Sequence, residues 1–284
     1  IAGANITEID VLDKIDHTNQ DYAKICKKNF MDSPGILKAD PVIEEPDYEQ
    51  LMKQLPQECF EYSSVDESTK SLFILNGVVL LPENIKTVED YAFYYLIEEI
   101  FYVYGPGVTT IEACAFQQNF RLRKVVFPVV ESIGEGAFVF DNQLETVIAP
   151  RCEVLGCDAF KWCVNLVHLE ISLKELREGS FWNTGIEYLN LNSVERIEND
   201  AFDGAAIRQV KAANCQEIEK FAFDKVNQKV EVECGCSLEN AVNCVQKKVQ
   251  SGKTKSGQLS AIEGILGRGI QQRREMKARI KLMG

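Results

Sequence analysis

The sequence predicts an α+β solenoid, a body of short strands stacked turn upon turn with helical segments at both ends. Three observations predict it. First, a small residue followed by phenylalanine recurs at Ala92-Phe93, Ala115-Phe116, Ala137-Phe138, Ala159-Phe160, Ser180-Phe181, Ala201-Phe202 and Ala222-Phe223, at intervals of 23, 22, 22, 21, 21 and 21 residues. A period of that length is the mark of a repeat architecture, in which each turn packs mainly on its neighbours. Second, apolar residues fall in columns that keep step with this pair. Third, before residue 72 and after residue 233 the columns give way to helical spacing.

Residues 1–71 read as a helical arm or cap. Thr7 and Asp10 can cap a helix over 7–30 whose Ile9, Leu12, Ile15, Tyr22, Ile25 and Phe30 share a face, and Ser33-Pro34-Gly35 ends it. Pro41 and Pro46 punctuate an acidic link to a second helix, Asp47 to Leu55, which presents Tyr48, Leu51, Met52 and Leu55.

Residues 72–233 carry the repeat. The leading column is Leu75, Ile97, Leu122, Leu144, Leu166, Ile186, Ile207; three residues on stand Val78, Ile100, Val125, Val147, Leu169, Leu189, Val210; five on stand Leu80, Tyr102, Phe127, Ala149, Ile171, Leu191, Ala212. This is the L-x-x-L-x-L rhythm of a strand sending alternate residues inward. A further column, Val88, Ile111, Ile133, Leu155, Leu176, Ile197, Ile218, precedes each phenylalanine by five residues and places the Ala-Phe pair on a return limb.

The unit Ile133-Gly134-Glu135-Gly136-Ala137-Phe138 followed by Leu144-Glu145-Thr146-Val147-Ile148-Ala149 resembles the BspA-type leucine-rich repeat, and seven successive turns carry the pattern. The resemblance implies a right-handed leucine-rich-repeat solenoid of seven to eight turns, used for protein interaction, often in adhesion at microbial and protist cell surfaces, without enzymatic activity.

Residues 234–250 read as a capping helix: Ser237 can cap it, and Leu238, Ala241, Val242, Val245 and Val249 share one face. Residues 251–284 read as a flexible linker followed by a basic amphipathic helix bearing Arg268, Arg273, Arg274, Lys277, Arg279 and Lys281. Gly264, Gly267 and Gly269 weaken that helix by roughly 1 kcal/mol each. The net charge of −12 is divided unequally. From Gln246 onward ten Lys and Arg face two acids, a surplus of eight, so residues 1–245 carry −20. An acidic body disfavours unspecific nucleic-acid binding by the repeats, whereas the tail would seek an acidic surface such as a filament, a nucleic acid or an anionic membrane.

Of the ten cysteines, Cys152 and Cys215 occupy a column otherwise filled by Ile, Val and Leu and read as small buried hydrophobes. Cys163 stands in the turn before Leu166. Cys234, Cys236 and Cys244 have ligand-like spacing, but no histidine follows them to complete a zinc site, and a disulfide is the stronger rival. Free core thiols predict a reducing, cytoplasmic setting, with attachment to the cytoskeleton one use for the tail; the cell surface is the alternative that the family resemblance implies. His17 and His168 have no nucleophile and carboxylate beside them in the sequence, and no phosphate-binding loop or metalloprotease motif is present. The expectation is a non-enzymatic scaffold without cofactor or metal.

Positions four residues after each leading residue should face outward. The first four are Val79, Phe101, Val126 and Ile148, and the neighbouring row includes His168 and Tyr188. Strands in such a ladder lie roughly 4.8 Å apart, so the four would form an apolar stripe of about 15 Å. Such a stripe is either a partner's contact surface or is covered by the chain's own helix or tail. No apolar run reaches the roughly 18 residues of a membrane span, and none reads as a secretory signal; the start Ile1-Ala2-Gly3 leaves processing open.

Overall fold

A computed structural model of the chain describes residues 45–96 and 100–247. Contacts divide the chain into residues 1–47 and 48–284, and the architecture below belongs to the second unit. The helix expected over 7–30, Ile97, and the linker and basic residues of 251–284 lie outside the described residues.

In chain order the elements are helix α1 (Tyr48–Met52) and strands β1 (Ser64–Val65), β2 (Ile74–Leu75), β3 (Val78–Leu80), β4 (Thr87–Val88), β5 (Tyr102–Tyr104), β6 (Thr110–Ile111), β7 (Lys124–Val126), β8 (Ser132–Ile133), β9 (Thr146–Ala149), β10 (Val154–Leu155), β11 (His168–Ile171), β12 (Glu175–Leu176), β13 (Tyr188–Asn190), β14 (Arg196–Ile197), β15 (Gln209–Ala212), β16 (Glu217–Ile218), β17 (Val230–Cys234) and β18 (Cys244–Gln246). Two-residue and longer strands alternate from β3 to β17. The short ones form parallel ladders β1-β4-β6-β8-β10 and β12-β14-β16; the long ones form β2-β3-β5-β7-β9-β11 and β13-β15-β17-β18. Apart from the β2–β3 hairpin, every pairing is parallel, the hydrogen-bonding of stacked coils.

The core between the ladders is a column of phenylalanines. Phe93, Phe116, Phe138, Phe160, Phe181, Phe202 and Phe223 are fully buried. Successive rings stack at 5.1 to 5.8 Å, with planes 2 to 18° apart. The backbone follows the rings: each Phe N–H donates to the carbonyl of the small residue one turn on, from Phe93 to Ala115 (2.7 Å) through Phe202 to Ala222 (3.2 Å). A Cβ without further bulk is what allows this approach. The residue two before and the residue two after each phenylalanine take positive φ in most turns, as at Asp158 (56°) and Trp162 (66°) around Phe160. Gly179 and Gly204 answer this demand directly. A Cβ on Gly179 would come within 1.8 Å of Asp158 Oδ1, and one on Gly204 within 2.1 Å of Asn183 Oδ1.

A row of polar side chains, three residues after the phenylalanines, runs beside the rings. Asn119 Nδ2 donates to the carbonyls of Phe93 (2.8 Å) and Phe116 (2.5 Å), Cys163 Sγ to Phe138 (3.0 Å), and Thr184 Oγ1 to Phe181 (3.0 Å). Between them stands Asp141, whose Oδ1 accepts the Asn119 N–H at 2.7 Å and whose buried Oδ2 has no partner. Burial pushes its carboxyl well above the usual range. A protonated Asp141 would be the counterpart of Asn119, with an O–H where the amide donates.

The sheets break at one place. The strand-to-strand interval from His168 to Tyr188 is 20 residues, against 21 or 22 on either side, and β11 does not pair with β13, nor β10 with β12. The phenylalanine column crosses the gap: Phe160 and Phe181 stack at 5.8 Å, and the Phe160 N–H reaches the Ser180 carbonyl at 3.0 Å.

Three expectations need correction. The helical caps are not what the described residues show: α1 has five residues, and 234–247 hold no helix. Instead β18 pairs with β17, setting Glu231 against Val245. The open edge of β17 supplies unpaired backbone groups, and satisfying them outweighs the helical spacing of Leu238, Ala241, Val242 and Val245. Asn243 Nδ2 closes that end by donating to the carbonyls of Phe223 (3.1 Å) and Val226 (2.6 Å). The repeat architecture also begins before residue 72, since β1 already pairs with β4. Finally, the first two turns are registered differently, because Asn76 (φ 52°) and Gly77 (φ 76°) make a tight hairpin between β2 and β3. The inward row is therefore Val79, Val103, Val125, Val147, Leu169, and Val79 is fully buried rather than outward.

Two outcomes test this core. Phe160→Ala should cost roughly 3–5 kcal/mol in urea unfolding, from lost burial and the cavity left in the column. Asp141 takes up a proton on folding, so its favourable contribution is complete below the unfolded value of 3.8 and is lost as pH rises through its raised folded value. Asp141→Asn, which supplies the amide that Asn119 uses, should raise the thermal midpoint at pH 7 to 8 and flatten the decline of stability with pH; an unchanged pH dependence would refute the assignment.

Candidate interaction surface

The outward face of the long-strand ladder has two rows. Register sets Leu80, Tyr104, Val126, Ile148 and Glu170 in one row, and Val78, Tyr102, Lys124, Thr146 and His168 in the other. Beyond the break the rows continue with Asn190, Lys211 and Glu233, and with Tyr188, Gln209, Glu231 and Val245. Parallel pairing fixes each side chain to the same side as its partner, so these positions are set by backbone rather than by side-chain choice.

The six residues singled out from sequence are thus distributed as follows. Val126 and Ile148 are neighbours in the outward row and half-buried; Val79 faces the core; Phe101 precedes β5, outside the paired row, and lies under the Arg121 guanidinium at 5.1 Å. His168 and Tyr188 are outward and exposed, Tyr188 by 64%. In the place of Val79 and Phe101 the row holds Leu80 and Tyr104. The signal for this was the Asn76-Gly77 dipeptide, together with a phenylalanine-to-inward-residue interval of ten at Phe93–Val103 against nine at Phe116–Val125.

The first part of this face is covered by the chain itself. Helix α1 packs against β3, and the Tyr48 ring stacks on Tyr104 with centroids 4.7 Å apart and planes 15° apart. Leu80 is fully buried beneath it and Tyr102 is nearly so. From β11 onward the face opens. His168 Nε2 stands 3.4 Å from Glu170 Oε1, and Val167, next to His168, is 65% exposed. Ion pairs on this part of the surface join Arg208 to Glu187 (3.4 Å) and Lys247 to Glu231 (2.9 Å).

A second arrangement was not anticipated. At the corner after the phenylalanine column, Trp182 takes Lys161 Nζ at 4.2 Å and Lys225 Nζ at 5.4 Å from its ring centroid. Lys161 also pairs with Asp158 at 2.8 Å, and Lys225 pairs with the buried Asp203. Both lysines thus have carboxylate partners that hold them over the ring. Among the described residues no group of three or more His, Cys, Asp or Glu is arranged to hold a metal ion.

The division of the face predicts different costs. Tyr48→Ala should lose about 1–2 kcal/mol, through the ring stack and the uncovering of Leu80 and Tyr104, and should raise the fluorescence of an apolar-surface dye. Tyr188→Ala should change stability by less than about 0.5 kcal/mol, because the side chain already stands in solvent.

The profile of the BspA-type leucine-rich repeat region matches residues 53–172 and 131–245, in six copies. No curated protein matches the chain. Among solved structures, the crystal structure of a T. pallidum leucine-rich repeat protein is similar at 22% identity and a TM-score of 0.37, covering 55% of this chain and 72% of that one. With the repeat profile spanning residues 53–245, the chain belongs to the BspA-type leucine-rich repeat family.

Proposed function

We propose that the protein is an interaction scaffold that binds a protein partner through the open part of the ladder's outward face. The observation that carries this reading is the placement of Tyr188, 64% exposed on a paired strand and locked in register opposite Gln209. A rigidly held, solvent-facing tyrosine presents a large amphipathic area at little conformational cost, which is the chemistry of an interface anchor. His168, Glu170 and Val167 on one side and Gln209 and Lys211 on the other supply polar and apolar contacts around it. The half-buried Val126 and Ile148 extend the surface toward the part that α1 covers.

The basic residues of the tail, Arg268, Arg273, Arg274, Lys277, Arg279 and Lys281, give the same scaffold a second attachment, to an acidic surface. An intracellular setting suits the many thiols; a surface-adhesin role is the alternative drawn from the family, and counting free thiols in protein isolated from its native source separates the two.

Crosslinking in the native source, followed by comparison of captured proteins, tests the ladder. The double variant His168→Glu/Tyr188→Lys should lose the partner that the wild-type chain captures, while Lys174→Gln, remote from this face, should retain it. Equal capture by both variants would remove the ladder from the account.

A further inference from the structure

Four cysteines meet at the C-terminal end of the solenoid. Cys234 ends β17, Cys236 follows after one glycine, Cys215 comes from the preceding turn, and Cys244 opens β18. Cys236 is the hub. Its Sγ lies 3.3 Å from Cys234 Sγ, and burial first, then the neighbouring Cys236, push the thiols of Cys215 and Cys244 up. Packing explains Cys152 and Cys163, which are fully buried. It does not explain Cys236, a half-exposed thiol in a turn with others gathered around it.

The surroundings tie this cluster to the end of the fold. Gln246 Nε2 donates to the carbonyls of both Cys234 (3.3 Å) and Cys236 (3.2 Å), so the Cys-Gly-Cys turn anchors the last strand. Cys234 is buried and Cys236 is half-exposed, an unequal pair of the kind in which one thiol meets an external reagent and the other resolves the product. No metal-holding group is present among the described residues, so the geometry offers a dithiol rather than a metal centre.

We propose that Cys234 and Cys236 form a redox-active dithiol, which low-molecular-weight disulfides of the glutathione type convert into an intrachain disulfide. In the first step the Cys236 thiolate attacks one sulfur of the small disulfide. The small S–S bond breaks, and the departing thiolate takes up a proton equivalent to the one Cys236 released. In the second step Cys234 gives its proton to solvent and attacks Cys236 Sγ, forming the Cys234–Cys236 bond and expelling the second small thiol. Two electrons and two hydrogens pass from the protein, and the small disulfide is reduced to two thiols.

The second step sets the pH dependence. Burial, and next the neighbouring Cys236 thiol, push the Cys234 thiol up to about 12. With Cys236 capped, burial is left as the main barrier to forming the attacking Cys234 thiolate. Closure should therefore accelerate with pH, by up to about tenfold per unit while Cys234 remains largely protonated. The bond would stiffen the turn on which Gln246 and β18 are anchored.

The test treats the full chain with oxidised glutathione at pH 7 and pH 9, blocks remaining thiols, and maps the products by peptide mass spectrometry. The expected product has lost two hydrogens within the Cys234–Cys236 peptide, and it forms faster at pH 9. In Cys234→Ala the glutathione adduct should persist on Cys236. The native-chain map needs no variant, so misfolding of the variant leaves the test intact. An unreactive Cys236, a glutathione adduct that never resolves in the native chain, or a bond from Cys236 to Cys215 or Cys244 would overturn the assignment.

Discussion

The stack of seven phenylalanine rings is the interaction on which the rest of the structure depends. Each ring contributes apolar burial, and its contact with the rings above and below leaves only one axial spacing at which a turn can join the column. The small residue before each ring lets the backbones approach until its carbonyl accepts the N–H of the preceding turn's phenylalanine. Both ladders inherit their register from this column. Where the strand-to-strand interval shortens to 20 residues, the strand hydrogen bonds lapse and the rings remain stacked.

That hierarchy explains how an outward surface comes to be fixed. From β11 onward the side chains of the outer rows stand in solvent and contribute little to holding the fold, so they are free to vary while the core below them stays the same. In the N-terminal part, Tyr48 on Tyr104 spends that surface on the chain's own packing. From β11 onward the same rows turn polar and open, with His168 just before the break and Tyr188 just after it. The polar row beside the rings, from Asn119 to Thr184, satisfies carbonyls that face the interior, and Asn243 performs the same task at the last turn. Asp141 alone in that row is an acid, and its environment favours the form that donates.

The repeated part of the fold was legible because one environment recurs. A position filled seven times in one column declares its burial whatever residue stands there, and Cys152 and Cys215, which share such a column with Ile, Val and Leu, are buried. What occurs once was not legible in the same way. The Asn76-Gly77 hairpin displaces the first coil, and the extra residue before Val103 displaces the second, so an alignment anchored on Leu75 and Ile97 put Val79 and Phe101 in the outward row. At the other end, the spacing of Leu238, Ala241 and Val245 fits a helix as an isolated segment. The open edge of β17, a tertiary feature, decides for a strand. The gathering of Cys215 with Cys236 is likewise a consequence of stacking two turns, and no linear spacing announces it.

Native-state hydrogen exchange in increasing denaturant addresses the column most directly, read at the phenylalanine amides on both sides of the sheet break. If the rings hold the solenoid together, the amides of Phe138 and Phe160 and those of Phe181 and Phe202 should merge into one opening reaction with one denaturant slope. Two separate openings, one for the turns up to Ile171 and one for those from Tyr188, each with the slope of half the body, would show that the strands and not the rings unite the fold.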